Sequence, residues 1–259
     1  MLVQAVNKQY IVNQIALGLT DLQSNPYLWD IIREGSSRQI IMNYTTHGLD
    51  TTPEIAKRTA ELCGAVAVSL NWPKSYDAIK MFTDAGMQQV NIHYMLSANR
   101  VKQAKKIVDD MCSDPRLKNV NAIVFLRYKA KGNNIGAFQP PTNDTFAEIV
   151  QYCENKGVPF GFDSCSAHAY LKCIEGRENY TELAQYVEPC ESALFSAYIN
   201  VHGEFFSCSF CENHGDYWQR GIQVLNYDNF IDSIWYSPKV HKWRLKLLGN
   251  SRRCPEYEV

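Results

Sequence analysis

The residues of this 259-residue chain best suited to chemistry are its nine cysteines. They stand at Cys63, Cys112, Cys153, Cys165, Cys173, Cys190, Cys208, Cys211 and Cys254, with six at or beyond Cys165. In a reducing compartment such crowding points to metal or cluster ligation, and an odd number cannot complete a disulfide framework. Cys190 precedes, and Cys208 lies in, a pair of β-rich runs (193–200 and 205–210) that turn around Gly203, the pattern of a hairpin. Thiols at the open ends of a hairpin hold two sulfurs at a fixed separation. Cys165 follows the last strand of the preceding part, and Cys254 stands in Arg253-Cys254-Pro255. Four thiolates from four segments are the usual ligand set of one [4Fe–4S] cluster. Cys208 and Cys211 have the Cys-x2-Cys spacing of a zinc site, but the second close pair is missing. Cys211 thus competes with Cys165 for a ligand position, and zinc or simply buried thiols remain open readings. Cys173 sits at helical distance from Cys165, and Cys63, Cys112 and Cys153 fall at helix ends or on apolar faces; these read as packed thiols.

Ahead of those cysteines, the chain alternates between two patterns. Runs rich in β-branched and aromatic residues occur at 10–17, 39–44, 65–70, 89–95, 122–128 and 158–162. Several are apolar without alternation, such as Ala122-Ile123-Val124-Phe125-Leu126, which suits strands covered on both faces in a parallel sheet. Between them, Val101, Ala104, Val108 and Met111 share one helical face, as do Phe146, Ile149, Val150 and Cys153. Thr52-Pro53 reads as a helix start and Gly157 as a helix stop. The rhythm is that of repeated strand–helix units and predicts a parallel α/β architecture, open or curled into a barrel. After residue 162 the rhythm ends. Two short helices are expected near 166–175 and 180–187, then the hairpin, then helices near 228–235 and 238–248. The division is therefore 1–162 and 163–259.

Composition excludes some functions. A net charge of −1 offers no general attraction to phosphate backbones, so nucleic acid is not an expected partner. No apolar run approaches the roughly 20 residues that span a bilayer. The opening MLVQAVNKQY lacks a signal-peptide layout, which makes the cytoplasm the expected compartment.

Cys190, twelve residues, Gly203, four residues and Cys208 resemble the opening of the SPASM/Twitch domains of radical S-adenosylmethionine (SAM) proteins. Ile234-Trp235-Tyr236-Ser237-Pro238 through Trp243-Arg244, and the Arg-Cys-Pro ending, are similar to those domains as well. A single cysteine in the closing region favours the smaller, one-cluster form. In the first part, Asn43-Tyr44-Thr45-Thr46-His47-Gly48 looks like the turn after a middle barrel strand. Gln14-Ile15-Ala16-Leu17-Gly18 looks like the strand leading to the glycine-rich SAM motif, although Gly18-Leu19-Thr20-Asp21 stands where two glycines and an acid are expected. The resemblance implies a partial (β/α) radical SAM-type barrel, missing its first strand–helix unit, followed by a small SPASM/Twitch-like hairpin-plus-helix domain. It implies an auxiliary [4Fe–4S] cluster on Cys165, Cys190, Cys208 and Cys254. It implies SAM as a second cofactor, with Gly18, Asn43, Ser69, Asn91 and Arg127, and also Asp21, as contact candidates near strand ends; each has an ordinary structural role as its rival. His47, His93 and His202 read as hydrogen-bonded histidines rather than ligands. Lys129-Ala130-Lys131-Gly132 reads as a solvated loop.

The departure is as informative as the match. Radical SAM enzymes carry their catalytic cluster on Cys-x3-Cys-x2-Cys, and no such spacing occurs here. The expectation is a chain starting just before the family's second barrel strand, with enzymatic activity only if a separate polypeptide supplies the triad. The substrate by resemblance is a peptide or a small molecule. The rival reading is a non-catalytic accessory or binding module with a structural iron–sulfur or zinc site.

Overall fold

The computed structural model describes residues 12–19, 21–70, 74–131 and 135–257. They divide into two compact units, one formed by 12–128 with 138–163, the other centred on 164–257 and including the segment Lys129–Ala137. That segment, assigned by sequence to the first part, thus packs with the second. The preceding boundary near residue 163 is where the sequence rhythm ends.

The first unit is built from β1 (Gln14–Gly18), α1 (Leu28–Ser37), β2 (Ile41–Thr46), α2 (Pro53–Leu62), β3 (Ala65–Ser69), α3 (Ser75–Asp84), β4 (Val90–Leu96), α4 (Val101–Ser113), β5 (Ala122–Arg127), α5 (Asn143–Lys156) and β6 (Phe160–Phe162). The strands pair in chain order, all parallel, so the α/β expectation with a parallel sheet holds. Sequential order without reversal is the order of a singly wound sheet, not of a doubly wound one with a switch point. Tyr10 and Ile11, included in the first expected strand, lie outside the described residues.

Local chemistry sets the boundaries. The Thr52 hydroxyl accepts from Ile55 N–H and Pro53 opens α2, where its missing N–H costs nothing. Thr142 and Thr145 exchange side-chain and backbone hydrogen bonds as a capping box at the start of α5, and Gly157 ends that helix with φ +64°. The strands alternate between buried and half-exposed positions, clearest in β2 and β4. Val90, Ile92, Leu96, Ile123 and Phe125 are fully or almost fully buried, together with Ile79, Phe82, Ile107, Val108, Phe146, Ile149 and Val150 from α3, α4 and α5. Each such side chain contributes about 1.5–3 kcal/mol by leaving water. The alternation revises one sequence expectation: these strands are covered on one face and half-open on the other.

The second unit holds a 3-10 turn (Ser164–Ser166), α6 (Ala167–Ile174), α7 (Tyr180–Ala184), β7 (Tyr198–Ile199), β8 (Glu204–Phe206), β9 (Ile222–Gln223), a π turn (Ile231–Trp235) and α8 (Pro238–Gly249). β7 and β8 pair antiparallel as a hairpin, and β9 adds a third strand that the sequence pattern did not reveal. The strands are shorter than expected. Residues 191–197 close on themselves through Ala193, which adopts φ +54°, and the chain after Phe206 turns at once. The core is aromatic: Phe205, Phe206, Trp218, Phe230 and Trp243 pack with Val224, Ile231, Ile234 and Val240. Trp243 Nε1 donates to Ser192 Oγ at 3.0 Å, which ties α8 to the segment just after Cys190.

Candidate functional site

The hairpin turn is fixed by three interactions around Asn200. Gly203 N–H donates to the Asn200 carbonyl, while the Asn200 side-chain oxygen accepts from His202 and Glu204 N–H. Gly203 has φ +75°, and a Cβ there would stand 2.9 Å from Gln223 Oε1, so the position suits glycine on both counts. Cys208 follows β8 by two residues and begins a turn in which Cys211 N–H donates to the Cys208 carbonyl at 3.1 Å. The two sulfurs lie 3.4 Å apart. Cys190 sits farther from β7 than the sequence pattern implied, separated from it by the 191–197 turn.

Electrostatics ties Cys190, Cys208, Cys211 and Cys254 into one neighbourhood. Contact with the Cys211 thiol, reinforced by Cys211 and Phe210 N–H and by the Lys129 cation, pulls Cys208 down to about 6. Burial opposes this but does not win. The same contact, together with burial, drives the Cys211 pKa far upward, so the pair holds on to one proton. Burial pushes Cys190 up to about 11, with the charges of Cys254 and Cys208 adding to the rise. Cys254 is raised by burial too, and Lys129 opposes the rise. Tyr257 is raised to about 12 by burial and by the three thiols Cys211, Cys208 and Cys254. Burial thus disfavours charge on Cys190, Cys211 and Cys254, while Cys208 is the one thiol of the four whose charged form is favoured. Cys165 is half-buried in the 3-10 turn that opens the unit. Among the described residues, no three His, Cys, Asp or Glu side chains are grouped to hold a single metal ion.

The surroundings contain groups that sequence reasoning missed. Lys129 is buried, with Nζ 4.0 Å from the centre of the Phe210 ring, and Lys131 Nζ donates to the Ser209 carbonyl at 2.7 Å. The solvated-loop reading of these lysines is therefore corrected: they close over the Cys208 turn. Arg252 donates to the carbonyls of Cys190 and Pro189. The Tyr257 ring stacks on His214 at 4.4 Å, and its hydroxyl donates to the Phe210 carbonyl. Two lysines flanking Ala130 beside a strand end were the available signal; what they pack against was not readable.

In the first unit, Gly18, Asn43, Ser69 and Asn91 share one face of the sheet but not one level: Gly18 pairs with Thr45, Asn43 with Ala65, Asn91 with Ala67, and Ser69 with His93. Asn43 Oδ1 is buried and has no hydrogen-bond partner among the described residues. Asn91 is the second residue of β4, not near its C-terminal end, and accepts from Asn121 Nδ2. Arg127 has the opposite parity. Its guanidinium covers the Phe146 ring of α5 at 5.3 Å, while its backbone N–H donates to Asp163. Burial lowers the His93 pKa, with the Asp163 charge acting against it. His47 Nδ1 accepts from Leu49 N–H, the structural role expected of it.

No protein-family model matches this sequence. No curated protein sequence matches it either. Solved structures do. SuiB of Streptococcus suis, bound to S-adenosylmethionine, superposes with a TM-score of 0.68 at 15% identity, over 93% of this chain and 57% of its own. SuiB bound to the precursor peptide SuiA gives 0.66 at 13% identity, over 94% and 58%. Native anSMEcpe with bound AdoMet and Kp18Cys peptide gives 0.58 at 14% identity, over 93% and 72%. The likeness is one of fold. The chain spans a little over half the length of SuiB. No helix among the described residues is long and apolar enough to cross a membrane.

Proposed function

We propose that this chain is a radical SAM-type α/β unit joined to a SPASM/Twitch-like unit, and that the latter binds one auxiliary [4Fe–4S] cluster. The observation that supports this is that Cys190, Cys208 and Cys254 lie near enough to feel one another's charge, with the buried Lys129 acting on Cys208 and Cys254, in a chain whose fold is like that of SuiB and anSMEcpe. Cys165 completes the ligand set. We leave Cys211 out of the set, a choice supported by its sulfur lying 3.4 Å from that of Cys208, whereas thiolates on different irons of a cubane stand farther apart. The same contact is near the sulfur spacing of a single zinc ion, about 3.8 Å for a tetrahedral site, which keeps zinc as the rival.

The residues fit the group. Cys208 supplies a thiolate at neutral pH, Lys129 balances its charge, and Arg252 holds the carbonyls on the Cys190 side. On the half-exposed sheet face, Asn43 and Ser69 would orient SAM or a peptide or small-molecule substrate. SAM bound to a catalytic cluster supplies hydrogen-atom abstraction, with the protein contributing orientation. In this reading the cysteines of that catalytic cluster come from polypeptide outside this sequence, and the partner is the segment or subunit that carries them.

The test is anaerobic reconstitution with iron and sulfide, followed by metal and sulfide analysis and the visible spectrum. The expected result is about four irons and four sulfides per chain, lost in Cys190→Ala and Cys165→Ala and kept in Cys211→Ala. Colourless protein holding zinc, with binding lost in Cys211→Ala, would overturn the assignment in favour of an accessory module with a structural zinc.

A further inference from the structure

Cys208 and Cys211 make a contact that the ligand set does not require. Their sulfurs stand 3.4 Å apart at the two ends of a hydrogen-bonded turn, Cys208-Ser209-Phe210-Cys211. A four-residue turn brings its end Cα atoms within about 7 Å. That is close to the span a disulfide bridges, so closing the bond needs small side-chain rotations rather than backbone movement. The two sulfurs differ in access: Cys211 is 1% exposed, whereas Cys208 is half-buried. Phe210 inside the turn is held by Lys129 over its ring, and the Ser209 carbonyl accepts from Lys131, so the turn that presents the pair is braced from one side.

We infer that Cys208 and Cys211 form a reversible disulfide that takes Cys208 out of the cluster ligand set. The cluster consequence rests on the reading above; the disulfide itself does not. The co-reactant is a small-molecule disulfide of the glutathione type. The more accessible Cys208 sulfur attacks one of its sulfurs, the S–S bond breaks, and one thiol leaves. Cys211 then attacks the Cys208 sulfur of the mixed disulfide, and the second small thiol leaves. Two protein thiols are oxidised, one small disulfide is reduced to two thiols, and the two protein protons end on those leaving thiols. The order of attack follows from access, since the buried Cys211 cannot meet the incoming disulfide first. Closing the bond removes one of four cluster ligands, so the oxidised chain does not assemble the cluster, and a thiol reductant restores that capacity.

The experiment uses the full chain, prepared reduced and free of metal. Samples are equilibrated across ratios of oxidised to reduced glutathione, alkylated, and mapped by peptide mass, and parallel samples are reconstituted with iron and sulfide. The expected result is that Cys208 and Cys211 lose alkylation together while Cys190 and Cys254 keep it, and that iron uptake is lost over the same range and returns with dithiothreitol. Cys211→Ser and Cys211→Ala should take up iron as the reduced native chain does and resist the loss on oxidation. Cys208 and Cys211 remaining alkylated across the range, or a different pair becoming linked, would overturn the inference. So would iron uptake in both Cys211 variants that is as sensitive to glutathione as in the native chain. If the reduced native chain takes up no iron, the cluster assignment fails, and the mapping still decides the disulfide.

Discussion

Arg252 Nε donates to the Cys190 carbonyl oxygen at 3.1 Å. Its Nη2 reaches the adjacent Pro189 carbonyl at 2.6 Å. One side chain near Cys254 therefore clamps the segment that delivers Cys190, bringing two thiols far apart in sequence to one place. Arg252→Met should keep most of the aliphatic packing and lose the clamp. The expected cost is about 1–2 kcal/mol of stability, read as a lowered denaturant midpoint. With the proposed cluster assembled, the variant should also release iron to a chelator faster than the reconstituted native chain. Unchanged iron release would show that the clamp does not position Cys190.

Trp243 anchors the aromatic core of the second unit. Trp243→Ala should cost about 3–5 kcal/mol through the cavity it leaves. Trp243→Phe should cost less, about 1–3 kcal/mol, since it refills much of the volume but strands the buried Ser192 hydroxyl. Denaturation curves decide between packing and the hydrogen bond. Equal losses in both variants would assign the stabilisation to the indole–serine contact.

The capping box on α5 gives a smaller effect in the first unit. Thr142→Ala removes the hydroxyl that accepts from Thr145 N–H and should cost about 1 kcal/mol. Thr142→Ser keeps the oxygen and should stay close to native in thermal melts.

His93 makes stability depend on pH. Burial lowers its pKa in the folded chain below the ordinary value of 6.5. The unfolded chain therefore takes up the proton first as pH falls. The stabilisation is complete above that value and is lost as pH falls through the folded pKa. His93→Gln should shrink the fall in melting temperature between about pH 7.5 and pH 5.5. An undiminished fall would place the acid sensitivity on other groups, such as His168, whose pKa burial also lowers.

The parallel sheet was legible because each strand carried its own apolar run and each helix its own face; Thr52-Pro53 and Gly157 marked helix ends by chemistry that acts within a few residues. The hairpin was legible from Gly203, where positive φ is needed. Its true length was not, because Ala193 turns the chain through a contact with Ser196 that no periodicity encodes. Nor was β9, only two residues long and paired far along the chain with β8. Lys129 was misread for the same reason: a lysine beside a strand end looks solvated unless its distant neighbour, here Phe210, is known. Arg127 shows the limit of position alone. Being at a strand end was readable from the sequence, but the face it points to depended on a register that one residue would reverse.

The segment Lys129–Ala137 belongs to the cysteine-bearing unit, yet it is encoded between β5 and α5 of the other. A fragment cut at Ser164 would keep Cys165, Cys190, Cys208 and Cys254 while discarding the cation beside them. Transplanting the cysteine unit onto another scaffold would accordingly need two pieces of chain, and a graft of the C-terminal piece alone would carry the thiols without their counter-charge.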